Sequence, residues 1–204
     1  MTDRPHHRPV LPGAARFEQI DAGADPALLT EAAERAAEAL VRGAGGSADS
    51  TLVERVVHLA ESEGLETLAE LWAGAPADSL AGVVWRLYLL RSWVYADPVG
   101  VAREFERGRT LAPVAEAISG VEDPPGPDEV RALVDAVLSG IVTSDFADTL
   151  FRAAAFARVA ATGRATEQVT GESSHDRDVS AARLLTLSAQ LEDAGRLELH
   201  GRLG

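Results

Sequence analysis

Cysteine, lysine and asparagine are all absent from this chain of 204 residues. The absence of cysteine excludes disulfide bonds, thiolate nucleophiles and thiolate-based structural zinc sites. The absence of lysine leaves arginine to supply all 19 basic charges, against 32 Asp and Glu. The net charge of −13 argues against nucleic acid as a partner, because an acidic protein and the phosphates repel each other at long range.

Long apolar runs are missing as well. The longest candidate, residues 80–94, is interrupted by Arg86 and Arg91, so it falls short of the roughly 20 apolar residues that cross a bilayer. The N-terminal residues contain no apolar segment of the kind that a secretory signal needs. The sequence therefore predicts a cytoplasmic protein that does not enter a membrane.

The sequence does contain several segments in which apolar residues recur at helical spacing. Residues 29–41, 52–60 and 130–141 repeat apolar side chains at i, i+3, i+4 and i+7. Thr51 and Glu54 form a capping-box pattern in front of the second of these segments. No alternation typical of strands competes with these patterns. They predict an all-α fold, a bundle-like or orthogonal array of about eight helices.

The most apolar helical segment covers residues 78–95. Trp85, Leu89 and Trp93 form one face of it at i, i+4 and i+8, and six further apolar residues form another face. A helix that is apolar on nearly all sides normally runs through the centre of its bundle. We therefore expect the other helices to surround this one.

The distribution of proline, glycine and polar residues predicts four segments. Residues 1–24 are predicted to be a flexible N-terminal tail, and residues 25–162 to be the helical core domain. Residues 163–177 are predicted to be a polar linker. Residues 178–204 are predicted to be a C-terminal helix with a short tail, and this helix docks on the core.

No motif in the sequence assigns a catalytic residue. Glu54 and His58 have the spacing of a metal pair on a helix, but a second Glu-x-x-His element is missing, so neither a metal site nor a cofactor is predicted. The glycine-rich residues 43–46 follow a helix and lack a lysine, which indicates a linker rather than a phosphate loop. A Gly-x-Ser-x-Gly nucleophile motif is also absent.

Arginine is the residue type whose placement suggests a site. Residues 81–109 hold five arginines against three acids, a basic stretch in an acidic chain. Guanidinium groups bind carboxylate or phosphate through paired hydrogen bonds, so converging helices would form an anion-binding groove. The candidate ligand-binding residues are Arg86, Tyr88, Arg91, Tyr95 and Arg152. The competing interpretation is that each arginine pairs with a nearby acid and stabilises the scaffold.

Two stretches resemble an uncharacterised family of actinobacterial all-helical proteins. They are residues 81–98, AGVVWRLYLLRSWVYADP, and residues 123–159, DPPGPDEVRALVDAVLSGIVTSDFADTLFRAAAFARV. The resemblance spans residues 78–195 and implies an all-helical fold. It lends no catalytic motif and therefore assigns no site residue.

Three functions are compatible with these features. The first is a non-enzymatic helical interaction or regulatory protein, whose acidic segments suit a protein partner with a basic surface. The second is a binding protein or enzyme that holds an anionic ligand in an arginine- and tyrosine-lined pocket on the central helix. The third is a DNA-binding helix-turn-helix that uses the arginines of residues 103–109, which the acidic body disfavours. The sequence does not indicate an oligomeric state.

Overall fold

The computed structural model describes residues 26–43, 65–111, 126–128, 131–132, 135, 145–166 and 174–204. Six helices have both ends in these residues: α1 Pro26–Arg42, α2 Leu65–Trp72, α3 Leu80–Ala96, α4 Pro98–Leu111, α5 Phe146–Thr166 and α6 Ser174–Leu199. The same residues contain no strand, so the predicted all-α class is confirmed, although the helices number six rather than about eight.

Several predicted segments lie outside the described residues. These are the N-terminal tail of residues 1–24, the helix that was expected to follow Thr51, and the Glu54/His58 pair on it. All six apolar residues of the stripe in residues 130–141 lie outside as well, although the backbone is helical at 127–128, 131–132 and 135. The predictions for these segments stay predictions.

Helix α3 begins and ends at local capping signals. The Ser79 side chain caps its N-terminus, accepting a hydrogen bond from the Gly82 amide at 3.1 Å. Asp97 ends α3 and also caps α4, where its carboxylate accepts from the Gly100 amide at 2.8 Å. Pro98 takes the first position of α4, where its missing N–H leaves no hydrogen bond unmade. The Asp97-Pro98 pair therefore joins the two helices without an intervening loop.

Helix α3 contacts each of the five other helices. One of its faces is fully buried in the shared core, and this face consists of Leu80, Val83, Val84, Leu87, Leu90 and Val94. The core continues into α1, α4, α5 and α6. Helix α3 therefore contacts every other described helix, whereas α5 packs most extensively on α4 and α6.

Helices α4 and α5 approach each other at two glycines. A Cβ atom on Gly163 would lie 1.7 Å from the Glu104 carbonyl oxygen, and one on Gly108 would lie 1.8 Å from the Val159 carbonyl oxygen. No side chain fits at either distance. The close crossing of α4 and α5 therefore requires glycine, which has no side chain, at one position in each helix.

The predicted linker of residues 163–177 overlaps helix at both of its ends. Helix α5 continues to Thr166, and α6 begins at Ser174. The sequence predicts a linker here because the segment is polar and lacks an apolar period, and its first residue is a glycine, which disfavours a helix interior. In the structure Gly163 is buried against α4, and the close packing offsets its low helix propensity.

Replacing Gly163 with alanine should lower the free energy of unfolding by about 1–3 kcal/mol, because the added methyl group must push α4 and α5 apart. Urea denaturation followed by circular dichroism measures the loss. Gly74→Ala is the matched control, since a Cβ atom there meets nothing within 4 Å. Its effect should stay within about 0.5 kcal/mol. Equal effects of the two substitutions would contradict the close approach.

Candidate functional site

The five predicted site residues occupy different places in the structure. Arg86 lines a groove between α3 and α6, whereas Arg91 and Tyr95 share a hydrogen-bonded cluster on the far half of α3. Arg152 lies on the surface of α5. Tyr88 stacks on a neighbouring tryptophan, with ring centroids 5.6 Å apart. The structure thus brings Arg91 and Tyr95 together, and of the five residues Arg86 alone lines the groove.

Arg91 and Tyr95 are joined by Asp135. Arg91 Nε donates a hydrogen bond to one oxygen of its carboxylate, and the Tyr95 hydroxyl donates to the other at 2.6 Å. Two guanidinium groups lie over the Tyr95 ring, with the Cζ atoms of Arg91 and Arg131 at 4.2 and 4.5 Å from its centroid. The hydrogen bond to Asp135 raises the pKa of Tyr95, because it stabilises the protonated phenol. This cluster fits the structural interpretation of the arginines.

Carboxylates also neutralise arginines on α5. Arg152 Nε lies 2.8 Å from Asp148, one turn earlier on the same helix, and both side chains are exposed. Arg158 Nη2 lies 2.7 Å from Glu192 of α6. Exposed pairs such as the first contribute little stability, but they do give the guanidinium a counter-charge. Arg152 is therefore an ordinary surface residue in this structure.

Arg164 has the most complete set of partners. Its Nε and Nη2 atoms donate to the two Glu104 carboxylate oxygens at 2.8 and 2.9 Å, and Nη1 donates to Ser180 Oγ at 2.6 Å. Its Cζ atom also lies 5.0 Å from the centroid of the Trp93 ring. Both members of the ion pair are less than one-fifth exposed. The pair joins α4, α5 and α6, and it leaves Arg164 without excess charge.

A groove of about 620 Å³ opens between α3 and α6. Trp85, Leu89 and Trp93, the second apolar face predicted for the central helix, form its α3 wall, and Leu184 and Leu187 line it from α6. Leu89 remains 41% exposed. The volume lies within the range of about 300–1,000 Å³ that is typical of small-molecule sites.

The two helices run antiparallel along the groove. Arg86 of α3 contacts Gln190 of α6 at one end, and Arg164 contacts both Trp93 of α3 and Ser180 of α6 at the other. At about 1.5 Å per residue, the groove is about 10–15 Å long. Each of its ends therefore carries a guanidinium group, and the apolar wall of α3 lies between them.

Arg86 differs from the arginines just described in having neutral partners. Its Nε atom donates to Gln190 Oε1 at 2.7 Å, and its Nη1 atom donates to the Gly82 carbonyl oxygen at 2.7 Å. Within the described part of the chain, no carboxylate forms an ion pair with it. Burial lowers the pKa of Arg86, and the charge of the Asp78 carboxylate opposes this effect only partly. Arg86 is thus a half-buried cation whose charge is not offset by an adjacent acid in these ranges.

Sequence reasoning missed the α6 side of the groove. Leu184 and Leu187 belong to an apolar stripe on the C-terminal helix, which is predicted to dock on the core. The spacing does not show that this stripe faces α3 or that Gln190 lies beside Arg86. The sequence feature that indicates the groove is the second apolar face of α3. A helix with two apolar faces implies either a second layer of packing or an open apolar surface.

Comparison with models of protein families, with curated proteins and with solved structures finds no match. The resemblance of residues 78–195 to actinobacterial helical proteins therefore stays a prediction. The described residues contain no group of three or more His, Asp or Glu side chains that would hold a metal ion. None of their helices combines the length and apolarity needed to cross a membrane. Function has to be inferred from the groove itself.

Replacing Glu104 with glutamine should destabilise the protein by about 1–3 kcal/mol, because the guanidinium of Arg164 then stays mostly buried without its carboxylate. Chemical denaturation at neutral pH measures the effect. Glu31→Gln is the control, since it breaks an exposed ion pair with Arg35 on α1, and such pairs contribute about 0–1 kcal/mol. A Glu104 variant that unfolds like the control would exclude a structural role for the pair.

The pKa of Tyr95 should lie above the ordinary tyrosine value of about 10. Because the folded pKa exceeds the unfolded one, this hydrogen bond stabilises the protein fully below the unfolded pKa and is lost as the pH rises through the folded pKa. Phenolate absorbance in a Tyr88→Phe background isolates the titration, since the chain has 2 tyrosines. Asp135→Asn should lower the pKa, because the two guanidinium groups over the ring then favour the phenolate. A pKa that does not move would rule out Asp135 as its cause.

Proposed function

We propose that this protein is a non-enzymatic helical binding protein and that the groove between α3 and α6 holds an amphipathic anion. The observation that carries the proposal is the environment of Arg86, a half-buried guanidinium that has neutral hydrogen-bond partners at the end of an apolar groove. A charge in such a place is costly until a counter-charge approaches it. A bound anion would supply that counter-charge.

The composition of the groove defines both parts of the ligand. Trp85, Leu89 and Leu187 offer apolar surface, whose removal from water stabilises a complex by about 25 cal/mol per Å². The guanidinium of Arg86 offers charge-assisted hydrogen bonds, which are stronger than neutral ones. A purely apolar ligand would leave the cation unsatisfied, and a small hydrophilic anion would leave the apolar wall in water. An amphipathic anion satisfies both.

Binding without catalysis agrees with the polar residues of the groove. Among the described residues, its lining contains arginines, Ser180, Thr186 and Gln190, but no His, Asp or Glu. A hydroxyl group needs an adjacent base to act as a nucleophile, and Ser180 instead accepts a hydrogen bond from Arg164. We therefore assign the groove no reaction.

A second candidate function is a protein-interaction module. It is favoured by the i, i+4, i+8 stripe of Trp85, Leu89 and Trp93, which has the spacing of a surface that docks an amphipathic helix. The arginines at the groove would then select an acidic partner helix, in contrast to the basic partner expected from the acidic sequence. Both candidate functions suit a cytoplasmic protein and involve no nucleic acid.

Arg86→Leu should remove the stabilisation that an amphipathic carboxylate gives the protein. With decanoate or naphthalene-2-carboxylate at a hundred times its Kd, the unchanged protein should gain about 2.7 kcal/mol of stability. For a chain of this size this corresponds to a rise in Tm of about 5–10 °C. Thermal denaturation measures the rise, and the fluorescence of the two groove tryptophans reports binding directly.

Arg152→Leu is the matched control for this experiment, because it removes an arginine that pairs with Asp148 on the surface of α5. This variant should respond to both carboxylates as the unchanged protein does. If the unchanged protein shows neither a rise in Tm nor a saturable change in fluorescence, the groove does not bind this class of ligand and the proposal is wrong.

A further inference from the structure

We infer that Gln190 determines the head group of the ligand and that the groove selects a single carboxylate over a phosphate. The inference rests on the proposed function of the groove. It starts from the hydrogen bond of 2.7 Å between Arg86 Nε and Gln190 Oε1. This bond fixes how both side chains present their remaining hydrogen-bonding groups.

The side-chain amide of Gln190 has one orientation that satisfies Arg86. A guanidinium group has only donors, so the oxygen of the amide must face it and the amide nitrogen must turn away. The amide nitrogen has no partner among the described residues, and Gln190 lines the groove. The amide oxygen of Gln190 therefore accepts a hydrogen bond from Arg86, and its two amide N–H groups remain as donors in the groove.

The guanidinium of Arg86 keeps the donors that a carboxylate needs. Of its five N–H groups, the one on Nε and one on Nη1 are used by Gln190 and Gly82. Each terminal nitrogen therefore retains at least one free N–H within the described part of the chain. A carboxylate that approaches these two nitrogens end-on accepts two parallel hydrogen bonds. Gln190 lies on the opposite, Nε side of the guanidinium, where its amide oxygen holds Arg86 in place.

The charge at this end of the groove matches one negative charge. At the Gln190 end Arg86 supplies one positive charge, its two hydrogen-bond partners are neutral, and Asp78 opposes its charge only partly. The other two arginines of the lining lie further along the groove: Arg183 is two turns from Gln190 on α6, and Arg164 is already paired with Glu104. A phosphate monoester carries about −1.5 to −2 at neutral pH, so part of its charge would stay unbalanced beside apolar side chains. A monocarboxylate leaves no such excess. Its apolar body, acyl or aryl, would lie along Trp85, Leu89 and Trp93.

A glutamine at this position preserves the charge of Arg86. Glutamate has nearly the same shape and would form an internal ion pair with Arg86, as Glu104 does with Arg164. The chain contains 32 Asp and Glu, and the half-buried arginines Arg158 and Arg164 both face a glutamate. A carboxylate at position 190 would take the place of the ligand's carboxylate by pairing with Arg86, whereas the neutral amide of Gln190 does not.

The substitution Gln190→Glu separates binding from folding. The new carboxylate should pair with Arg86, so the variant should fold with an unchanged or higher Tm and yet bind decanoate at least about tenfold more weakly than the unchanged protein. Gln190→Met is the matched control, because it removes the amide that holds Arg86 without adding a charge. It should weaken binding by about 2–10-fold, the equivalent of one neutral hydrogen bond. A Gln190→Glu variant that binds decanoate as tightly as the unchanged protein would overturn the role of Gln190.

Isothermal titration calorimetry of the unchanged protein with decanoate, naphthalene-2-carboxylate, decyl phosphate and decanol tests the head group. Decyl phosphate and decanol should each bind at least about tenfold more weakly than decanoate, and the comparison of the two carboxylates distinguishes an acyl from an aryl body. Decyl phosphate that binds as tightly as decanoate would overturn the selectivity while leaving the binding function intact. If none of the four probes binds, the proposed function fails together with this inference.

Discussion

Burial of one face of α3 is the constraint on which the rest of the described structure depends. Each large apolar side chain on that face stabilises the fold by about 1.5–3 kcal/mol when it leaves water, and α3 reaches all five other helices through this core. The cap at Asp97 and the glycine contact between α4 and α5 then fix how the neighbours are arranged around it. The second apolar face of α3 is not covered to the same extent. This second face forms the wall of the groove, because the other helices pack mainly against the buried face of α3.

The two ends of the groove show that the role of an arginine depends on its hydrogen-bond partners. An arginine paired with a carboxylate stabilises the scaffold, whereas one with neutral partners keeps its charge. Arg164 and Arg86 both line the groove and both lose contact with water. Arg164 recovers this loss through two hydrogen bonds to Glu104 and one to Ser180, so it contributes to the scaffold. Arg86 has two neutral acceptors, which offset the loss only in part. The fold therefore neutralises one guanidinium with a carboxylate and gives the other only neutral hydrogen-bond partners.

Local sequence patterns predicted those features that depend on neighbouring residues. The all-α class and the two faces of α3 follow from the periodicity of the apolar residues, and the structure contains both. Features that depend on distant residues were not predictable. The pairing of Arg91 with Asp135 and of Arg86 with Gln190 joins segments far apart in the chain, and no spacing rule identifies such partners. Gly163 was misinterpreted for the same reason, because its helical conformation is stabilised by α4 and not by its own propensity.

Under the proposed function, the charge of the whole protein limits which anions the groove would bind. An anion that approaches a chain with a net charge of −13 is repelled at long range, although salt screens this repulsion beyond about 8 Å at physiological ionic strength. Association therefore receives no electrostatic steering, and the affinity must come from contacts inside the groove. Each further negative charge on a ligand would add to the repulsion, whereas Arg86 neutralises one charge at its end. A larger apolar body adds affinity without that penalty, so the electrostatics of the chain and the shape of the groove both favour a singly charged ligand with an extended apolar part.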